Sequence, residues 1–367
     1  MRAWLLDGYD GVDALRLSEV PDPQPGRGQM VLRVRFAALN PADAFLARGM
    51  YPAHPPLPHI LGRDGVGEVV AVGPDVTRAR VGDIVGILRC QVGVATWGTL
   101  AEKVVVSEES VAAVPQGWSP EEMAGAPLVF LTAWQALTQW TDPPQPPRPG
   151  SVLLVTGASG GVGVASILLG KSMDLVVIAL SRSAEKGVTL NELGAAHVFD
   201  PADSRLVKSI TSAIAPLKVD LAIDSVGGSV FQDIVATLGY GGRISVVGRS
   251  GGIVPQFNTA TLFFRRIRIG GVSVGDYTPE DAQAAWSQIT ARLDTLRRRP
   301  IVDSIVALDE VKAGFARLAR GPLGKVLVRV AAAESSRWPP WLPRRHSVVY
   351  CFFVFDEPCV SPGSGMP

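Results

Sequence analysis

The stretch Ser151-Val-Leu-Leu-Val-Thr-Gly-Ala-Ser-Gly-Gly-Val-Gly-Val-Ala-Ser166 decides how the middle of this chain folds. An apolar run, 152–155, leads into four glycines, and a run that can form a helix, 164–171, follows them. Glycines allow a sharp turn and a close approach to the backbone. The first turn of a helix adds unpaired N–H groups and a partial positive charge. A strand, a tight turn and a helix in this order predict a dinucleotide-phosphate site, and the weaker alternative is a glycine-rich turn without a ligand.

Strands and helices alternate after this loop. Five apolar segments have the length of buried strands: 152–156, 175–180, 197–199, 219–223 and 243–247. Segments that can form helices fill most of the gaps between them. This alternation predicts a parallel sheet with helices on both faces, the doubly wound Rossmann arrangement. The run 262–274 predicts one more strand, and the amphipathic run 279–298 predicts a long helix.

The first 110 residues have a different pattern, in which short apolar segments are separated by turns. The predicted strands are 3–6, 15–20, 30–38, 65–72, 100–106 and 111–114, and 81–86 is a turn that leads into a further strand. Many short strands at this spacing predict a compact, curled all-β unit. Ser119-Pro120-Glu121-Glu122 carries the signals of a helix start, and 131–140 predicts a second helix.

Composition restricts the classes of function. The chain has 367 residues, which is enough for two domains, and its net charge of +1 gives no basis for binding nucleic acid or an acidic membrane surface. Cys90, Cys351 and Cys359 form neither a metal-binding spacing nor a disulfide framework, which favours a reducing, cytoplasmic setting. No apolar run approaches the roughly 20 residues of a membrane helix. The segment 1–7 becomes charged too early for a signal peptide.

The segment 331–367 departs from the pattern of the body. It contains prolines, aromatic residues and two of the cysteines, and proline blocks regular structure. We expect a disordered or loosely packed tail. One hypothesis is a recent extension or a scar of a shifted reading frame; normal folding and activity after deletion of 332–367 would support it, and insolubility would contradict it.

Seven motifs besides the glycine loop follow one another along residues 1–330: Ala38-Leu-Asn-Pro-Ala-Asp43, Leu61-Gly-Arg-Asp-Gly-Val-Gly-Glu-Val-Val-Ala-Val-Gly73, Gly82-Asp83, Leu131-Thr-Ala-Trp134, Asp224-Ser-Val-Gly-Gly228, Gly241-Gly-Arg243 and Gly324-Lys-Val-Leu-Val328. Their order resembles the medium-chain dehydrogenase/reductase superfamily, and within it the zinc-free quinone oxidoreductase branch that includes zeta-crystallin. The resemblance implies an α/β protein in which a GroES-like β-barrel-type domain, 1–126 and 275–330, packs on a Rossmann NADP-binding domain, 127–274. It also implies a cofactor in the cleft between them and a homodimer joined around 262–274.

The resemblance also separates this chain from the zinc-dependent alcohol dehydrogenases. Those enzymes bind zinc through a Cys, a His-Glu pair and a second Cys, and the corresponding positions here are Asn40, Arg63-Asp64 and Leu128. An amide, a guanidinium and an aliphatic side chain cannot form a zinc site. We therefore expect no bound metal.

Without a metal ion, hydride transfer from NADPH to a quinone or an enone is easier than reduction of a simple carbonyl. The charge that develops on the substrate oxygen then needs hydrogen-bond donors. The resemblance places Asn40 and Tyr51 beside the nicotinamide, and both side chains can donate, so we predict that both are catalytic. The alternatives are a turn residue at Asn40 and a packing aromatic at Tyr51. Asp43 and Asp64 could move a proton, but we favour a buried, hydrogen-bonded structural pair.

The expected substrate pocket is lined by Phe45, Tyr51, Trp97 and Phe130. Three alternative functions remain open. The same fold could reduce enoyl thioesters, it could act as a dehydrogenase with a metal ion, or it could bind a nucleotide without turnover. The sequence has no basic stripe with interleaved aromatics, so nucleic acid is the least favoured partner.

The choice of nicotinamide cofactor depends on the end of the second strand of the Rossmann unit. NAD-binding sheets carry an acid there, whereas this chain has Ser181-Arg182-Ser183 with Lys186 close by. Hydroxyls and cations suit a 2′-phosphate, so we predict NADPH; the alternative is a solvated turn. The resemblance implies further cofactor contacts at Asn40, Thr132, Ser159, Gly160, Gly161, Val162, Gly163, Ser225, Val246, Gly248, Val272, Val274 and Lys325, although Lys325 could equally be a plain surface lysine.

Overall fold

The parallel sheet predicted around the glycine loop is present in the computed structural model of the chain, which describes residues 1–88 and 91–331. Its six strands lie in the order β11-β10-β9-β12-β13-β14, and each neighbouring pair is parallel. They are β9 (Val152–Val155), β10 (Val176–Leu180), β11 (His197–Phe199), β12 (Val219–Asp224), β13 (Leu238–Val246) and β14 (Arg268–Gly271). All four side chains of β9 are buried, because helices cover both faces of the sheet.

The helices of this region connect successive strands or lie beside them. They are α3 (Pro127–Thr138), α4 (Gly161–Ser172), α5 (Ala184–Leu193), α6 (Leu206–Ala213), α7 (Val230–Thr237) and α8 (Thr259–Arg265). The predicted helix 131–140 therefore begins four residues earlier, at Pro127, which is favourable in the first turn of a helix. Strand β9 is at the centre, with β10 on one side and β12 on the other. The connections reverse direction here, and this is the position at which such sheets bind ligands.

Short strands make up most of the N-terminal part, as predicted. The elements are β1 (Arg2–Leu6), β2 (Arg16–Glu19), β3 (Gln29–Ala38), α1 (Pro41–Ala47), β4 (His59–Ile60), β5 (Gly65–Val72), β6 (Ile84–Ile87), β7 (Lys103–Ser107), β8 (Val111–Ala113) and α2 (Pro120–Ala124). Strands β2, β1 and β4 form a small sheet, and β3, β5, β6, β7 and β8 belong to a larger one. The short helix α1 was not predicted; it begins at Pro41, with Asn40 and Asp43 forming a capping box.

The last part of the described chain returns to the N-terminal sheet. It contains α9 (Pro279–Thr295), β15 (Val302–Ala307), α10 (Val311–Ala319) and β16 (Lys325–Arg329). Strand β16 pairs antiparallel with β3 and parallel with β15. Just before β16, the N–H of Gly324 donates to the carbonyl of Ser159 at 2.8 Å. The end of the fold is therefore tied directly to the glycine loop.

The α/β fold class is confirmed. The domain limits 1–126 with 275–330, and 127–274, stay a prediction, because residues 1–88 and 91–331 pack as one unit. One predicted element is partly wrong: the run 262–274 is not a single strand. Asn258 caps a helix by accepting from the N–H of Ala260 at 2.9 Å, this helix ends at a left-handed Arg266, and only Arg268–Gly271 is extended.

Two further predictions concern residues that the structure does not describe. One is the expectation of a disordered tail, which lies beyond position 331, and the other is the expectation that Cys90, Cys351 and Cys359 form neither a metal site nor disulfides. Within the described ranges, no helix is both long enough and apolar enough to cross a bilayer.

Candidate functional site

A cleft of about 1580 Å³ opens at the carboxyl ends of β9, β12 and β13. One wall is formed by the glycine loop and the turns that follow the parallel strands. The opposite wall is formed by α1 and the segment 49–52 of the N-terminal part. The same cavity therefore reaches from the edge of the parallel sheet to the polar residues at the start of α1.

The glycine loop leaves backbone exposed on the floor of the cleft. A Cβ atom on Gly163 would lie 2.5 Å from the carbonyl oxygens of both Gly157 and Ala158, so the loop could not close as it does. A Cβ on Gly160 would meet only one atom within 4 Å, the Gly157 oxygen at 3.3 Å, and it would point into open space. The twelve-residue helix α4 begins here, and the N–H groups of its first turn have no partner within the helix. This open, electropositive backbone fits a pyrophosphate.

A buried carboxylate braces the wall of the cleft, and the sequence analysis gave it no role. Asp224, the last residue of β12, is fully buried and accepts a hydrogen bond from the hydroxyl of Thr156 at 2.7 Å. It also accepts from the N–H groups of Val226 and Gly227 at 3.0 and 3.1 Å. The signal was available: both Thr156 and Asp224 are polar residues directly at the ends of buried apolar strands.

The residues predicted to select the cofactor lie after β10. Ser181 and Arg182 line the cleft. Arg182 is exposed, and its guanidinium has no bonded partner in residues 1–88 and 91–331, so it is available to an anion. Lys186 does not line the cleft. Its ammonium donates to the carbonyl of Gly321, which does line the cleft, and the role of Lys186 at the phosphate stays a prediction.

A buried polar cluster stands at the other end of the cleft. The ammonium of Lys325 donates to Asn40 Oδ1 at 2.6 Å and to Asp64 Oδ2 at 3.1 Å. Asn40 Nδ2 donates to Asp64 Oδ2 at 3.4 Å and to the Ala38 carbonyl at 3.2 Å. Lys325 is only 4 % exposed, so the alternative of a plain surface lysine is wrong.

Asp43 and Asp64 are both buried and hydrogen-bonded, but each has its own partners. Asp43 accepts from Arg63 Nε at 3.1 Å and from the Asn40 N–H at 2.9 Å, whereas Asp64 accepts from Lys325 and Asn40. Burial raises the pKa of Asp64 above its ordinary value, and the nearby Lys325 and Asn40 oppose that rise. Burial alone would lower the pKa of Arg63, but Asp43 and Tyr51 outweigh it, so the pKa is raised.

Tyr51 lines the cleft next to this cluster. Arg63 Nη1 donates to its hydroxyl oxygen at 3.2 Å, and the Arg63 guanidinium carbon lies 4.7 Å from the centre of the ring. Because the Tyr51 oxygen accepts from Arg63, its own hydrogen is available to a ligand. Arg63 Nη2 and Asp64 Oδ1 are buried atoms that have no hydrogen-bond partner among the described residues, so the polar groups at this end of the cleft are incompletely satisfied.

Two of the four residues expected to line the substrate pocket lie in the cleft, and their contact with a substrate stays a prediction. Phe45 and Tyr51 line the cleft. Phe130 is wrong, because it is buried in the core between helices and sheet. Trp97 is also wrong: it is 38 % exposed away from the cleft, and its indole N–H donates to the Pro58 carbonyl at 3.2 Å. The sequence shows that a residue is aromatic, but it does not show which surface the side chain reaches.

The other residues predicted to contact the cofactor all line the cleft: Thr132, Ser159, Gly160, Gly161, Val162, Gly163, Ser225, Val246, Gly248, Val272 and Val274. Among them, the buried hydroxyl of Ser225 has no hydrogen-bond partner within the part of the chain that the structure describes. This side chain fits a ribose hydroxyl as its partner, because each of the two hydroxyls can both donate and accept a hydrogen bond. The roles of these residues stay predictions.

The positions compared with zinc ligands hold an amide, a guanidinium, a carboxylate and an aliphatic side chain. Over the described ranges, no group of three or more His, Cys, Asp or Glu residues could bind a metal ion. Instead, Asn40 and Asp64 both accept hydrogen bonds from Lys325, and Arg63 donates to Asp43. These side chains do not fit a zinc ion, and the expectation of no metal stays a prediction.

Two protein-family models match the chain. The model described as "Alcohol dehydrogenase GroES-like domain" matches residues 26–116, and the model described as "Zinc-binding dehydrogenase" matches residues 161–291. The first range spans β3 to β8, and the second spans α4 and the strands β10 to β14 of the parallel sheet.

Known relatives match over different lengths. The synaptic vesicle membrane protein VAT-1 homolog of Rattus norvegicus is 35 % identical over 62 % of this chain and 54 % of its own length. The chain thus matches about half the length of that protein. Quinone oxidoreductase of Lama guanicoe is 26 % identical over 89 % of this chain and 97 % of its own. Acryloyl-coenzyme A reductase of Sulfurisphaera tokodaii is 28 % identical over 86 % and 96 %.

Solved structures match the whole fold. An NAD-dependent alcohol dehydrogenase has a TM-score of 0.82 and 29 % identity, covering 90 % of this chain and 100 % of the other. A mycobacterial protein complexed with NADPH has a TM-score of 0.80 and 25 % identity, covering 90 % and 100 %.

Proposed function

Because the chain belongs to the medium-chain dehydrogenase/reductase superfamily, in its quinone oxidoreductase-like branch, we propose that it is an NADPH-dependent reductase of quinones or α,β-unsaturated carbonyl compounds that works without a metal ion. One observation carries the proposal. A single cleft connects the open glycine backbone and Arg182 at one end with Tyr51, Asn40 and Lys325 at the other. It therefore offers an anion site for the cofactor and hydrogen-bond donors for a substrate within one cavity.

The preference for NADPH over NADH is supported by the residues after β10. The exposed guanidinium of Arg182 can bind a 2′-phosphate bidentately, and the hydroxyl of Ser181 can donate to it. No carboxylate occupies this turn to bind an unmodified ribose. The pyrophosphate would contact the first-turn amides of α4, and Ser225 would contact a ribose hydroxyl.

NADPH, when bound, supplies a hydride to the electron-poor carbon of the acceptor. The chain's residues then have two tasks: to orient the acceptor and to stabilise the charge on its oxygen. Tyr51 has a free O–H for this oxygen, and Phe45 supplies an apolar face for the ring of a quinone. The amide hydrogens of Asn40 are engaged by Asp64 and Ala38, so Asn40 acts by holding the cluster beside the nicotinamide.

The test is oxidation of NADPH, and separately of NADH, by the purified chain with a panel of small quinones and enones. We expect turnover with NADPH, little with NADH, and loss of most activity in Tyr51→Phe with cofactor affinity unchanged. Binding of NADPH without oxidation by any acceptor would contradict the proposed activity and favour a nucleotide-binding role without turnover.

A second candidate is reduction of an enoyl thioester. It is supported by the similarity to acryloyl-coenzyme A reductase, which extends over 96 % of that protein. Arg249 also projects from the β13 side across the cleft, where it donates to the Met50 carbonyl and lies 5.3 Å from the centre of the Phe45 ring. A cation at this lip could contact the phosphates of a coenzyme A thioester. Adding acryloyl-coenzyme A and crotonyl-coenzyme A to the panel separates the two candidates.

We further propose that the chain forms a homodimer through the outer edge of β14. This strand ends the six-stranded sheet, so its outer N–H and C=O groups face away from β13. Phe263 and Phe264, on the neighbouring helix α8, are 65 % and 74 % exposed. Light scattering should give twice the monomer mass for the native chain and for Val188→Asp, an exposed apolar position on α5. Phe264→Asp should give a monomer, and an unchanged dimer would contradict this interface.

A further inference from the structure

We propose that the ammonium group of Lys325 is the electrophile of the active site, donating a hydrogen bond to the substrate oxygen as negative charge develops on it. This inference rests on the proposed reductase function. It assigns to Lys325 the stabilisation of negative charge on the substrate oxygen, which a Lewis acid would otherwise provide. Its basis is the way in which the fold holds a buried cation against the cleft.

The backbone around Lys325 leaves space for its side chain. A Cβ atom on Gly125 would lie 3.1 Å from Cβ and Cγ of Lys325, and a Cβ on Gly161 would lie 3.0 Å from its Cδ. The two glycines therefore leave a channel for the lysine stem between α2 and the first turn of α4. Because Gly324 is bonded to Ser159, the side chain leaves β16 beside the glycine loop and ends at Asn40.

The ammonium of Lys325 is buried, but not all of its N–H groups donate to described residues. It has three N–H donors, and the described residues provide two acceptors, Asn40 Oδ1 at 2.6 Å and Asp64 Oδ2 at 3.1 Å. Lys325 and Asn40 both line the cleft, so the third donor has the cleft as its open side. A buried ion pair adds little to stability over apolar packing, which makes a purely structural reason for this lysine weak.

Asp64 is the positioning residue for this ammonium. Asp64 Oδ2 accepts from the ammonium at 3.1 Å, and among the described residues the other oxygen of Asp64 has no hydrogen-bond partner. The other acid nearby, Asp43, is already paired with Arg63 and the Asn40 N–H. The cluster thus assigns one acid to Lys325 and the other to Arg63.

The chemical step balances with the cofactor and one proton. The acceptor gains a hydride, with its electron pair, at carbon, and the displaced π electrons come to rest on oxygen. Lys325 donates a hydrogen bond to that oxygen and remains an ammonium. For an enone, one proton from solvent then forms the C–H bond beside the carbonyl. For a quinone, one proton from solvent on that oxygen gives the keto tautomer, and loss of a proton from the ring carbon with protonation of the second oxygen gives the hydroquinone.

A phenol tests the site without any hydride transfer, because its ionised form imitates the substrate oxyanion. The probe is 4-nitrophenol, whose ionised form absorbs visible light, titrated into the full chain saturated with NADP⁺. We expect the ratio of bound phenolate to bound phenol at fixed pH to exceed the ratio in free solution at least tenfold. Lys325→Met should abolish the excess, and Lys208→Met, which removes an exposed ammonium on α6, should preserve it.

The outcomes separate this inference from the proposed function. A folded Lys325→Met variant with an unchanged phenolate ratio overturns the inference, and so does a wild-type chain that shows no preference for phenolate. If the single variant fails to fold, Lys325→Met with Asp64→Asn removes both charges and gives the same readout. Phenolate preference without NADPH oxidation would uphold Lys325 as an oxyanion-binding group and refute the reductase function, whereas turnover without phenolate preference would support the function and overturn the role of Lys325.

Discussion

The hydroxyl of Thr156 donates a 2.7 Å hydrogen bond to Asp224, and this bond joins the carboxyl ends of β9 and β12 beneath the cleft. The same hydroxyl oxygen accepts from the N–H of Ser225 at 3.0 Å. Thr156 therefore connects the strand that leads into the glycine loop with the turn that carries Ser225. The geometry of both cofactor-facing segments depends on one buried pair.

Thr156→Val should test this pair, because valine keeps the shape of threonine and removes the hydroxyl. It leaves the Asp224 carboxylate with one donor fewer and the Ser225 N–H without its acceptor. We expect a loss of about 1–3 kcal/mol in the free energy of unfolding, measured with denaturant, and weaker NADPH binding in a titration. Thr156→Ser keeps the hydroxyl and should be close to wild type; equal stability of the valine variant would show that the bond contributes nothing.

Much of the parallel sheet could be predicted, because buried strands are continuous apolar runs and glycines mark the loop that follows the first of them. The prediction of a single strand over 262–274 was partly wrong for the same reason. Leu262, Phe263 and Phe264 look like a buried strand, but they lie on a short helix, and an apolar run of this length does not distinguish the two. The local signal that indicates a helix here is the capping residue Asn258.

The site was less predictable than the fold, because contacts between distant segments leave no local pattern. Lys325 and Asn40 are 285 positions apart, and the sequence could not place a lysine of the last strand beside the first helix. Lys186 is close in sequence to Arg182, but its ammonium donates to the Gly321 carbonyl in the wall of the cleft, a contact between distant segments that the sequence does not reveal.

Gly163→Ala and Gly160→Ala should separate folding from binding in the glycine loop. The Gly163 Cβ would lie 2.5 Å from two backbone oxygens, so we expect a strongly destabilised protein with a lower melting temperature. The Gly160 Cβ points into the cleft, so this variant should keep its melting temperature and lose NADPH affinity at least tenfold. Equal behaviour of the two variants would mean that this cradle does not hold the phosphates.

Arg182→Ala should change the choice between the two nicotinamide cofactors. A hydrogen bond to a charged group contributes about 1.5–3 kcal/mol, so NADPH affinity should fall roughly tenfold to a hundredfold while NADH affinity stays nearly constant. Fluorescence titration of both cofactors measures the ratio. Arg205→Ala, which removes another exposed arginine of the same region, is the matched control. An equal loss for NADH would place Arg182 at a part of the cofactor that both share.

Glu122 gives a prediction of pH dependence away from the site. Its carboxylate accepts from the Ser119 N–H at 2.7 Å in the capping box of α2, and burial raises its pKa above the ordinary value in spite of that bond and of Arg299.

Because the folded state binds the Glu122 proton more tightly than the unfolded state, this group favours folding at low pH, and the advantage is lost as pH rises through the raised pKa. Between pH 7 and pH 5, therefore, the free energy of unfolding of the wild type should increase relative to that of Glu122→Gln, which cannot titrate but keeps an oxygen for Ser119. Denaturant titrations of both proteins at the two pH values measure the difference. Glu109→Gln, at an exposed position, is the control for general charge effects. A wild type that loses stability relative to Glu122→Gln on acidification would mean that the hydrogen bond and Arg299 outweigh burial at this carboxyl.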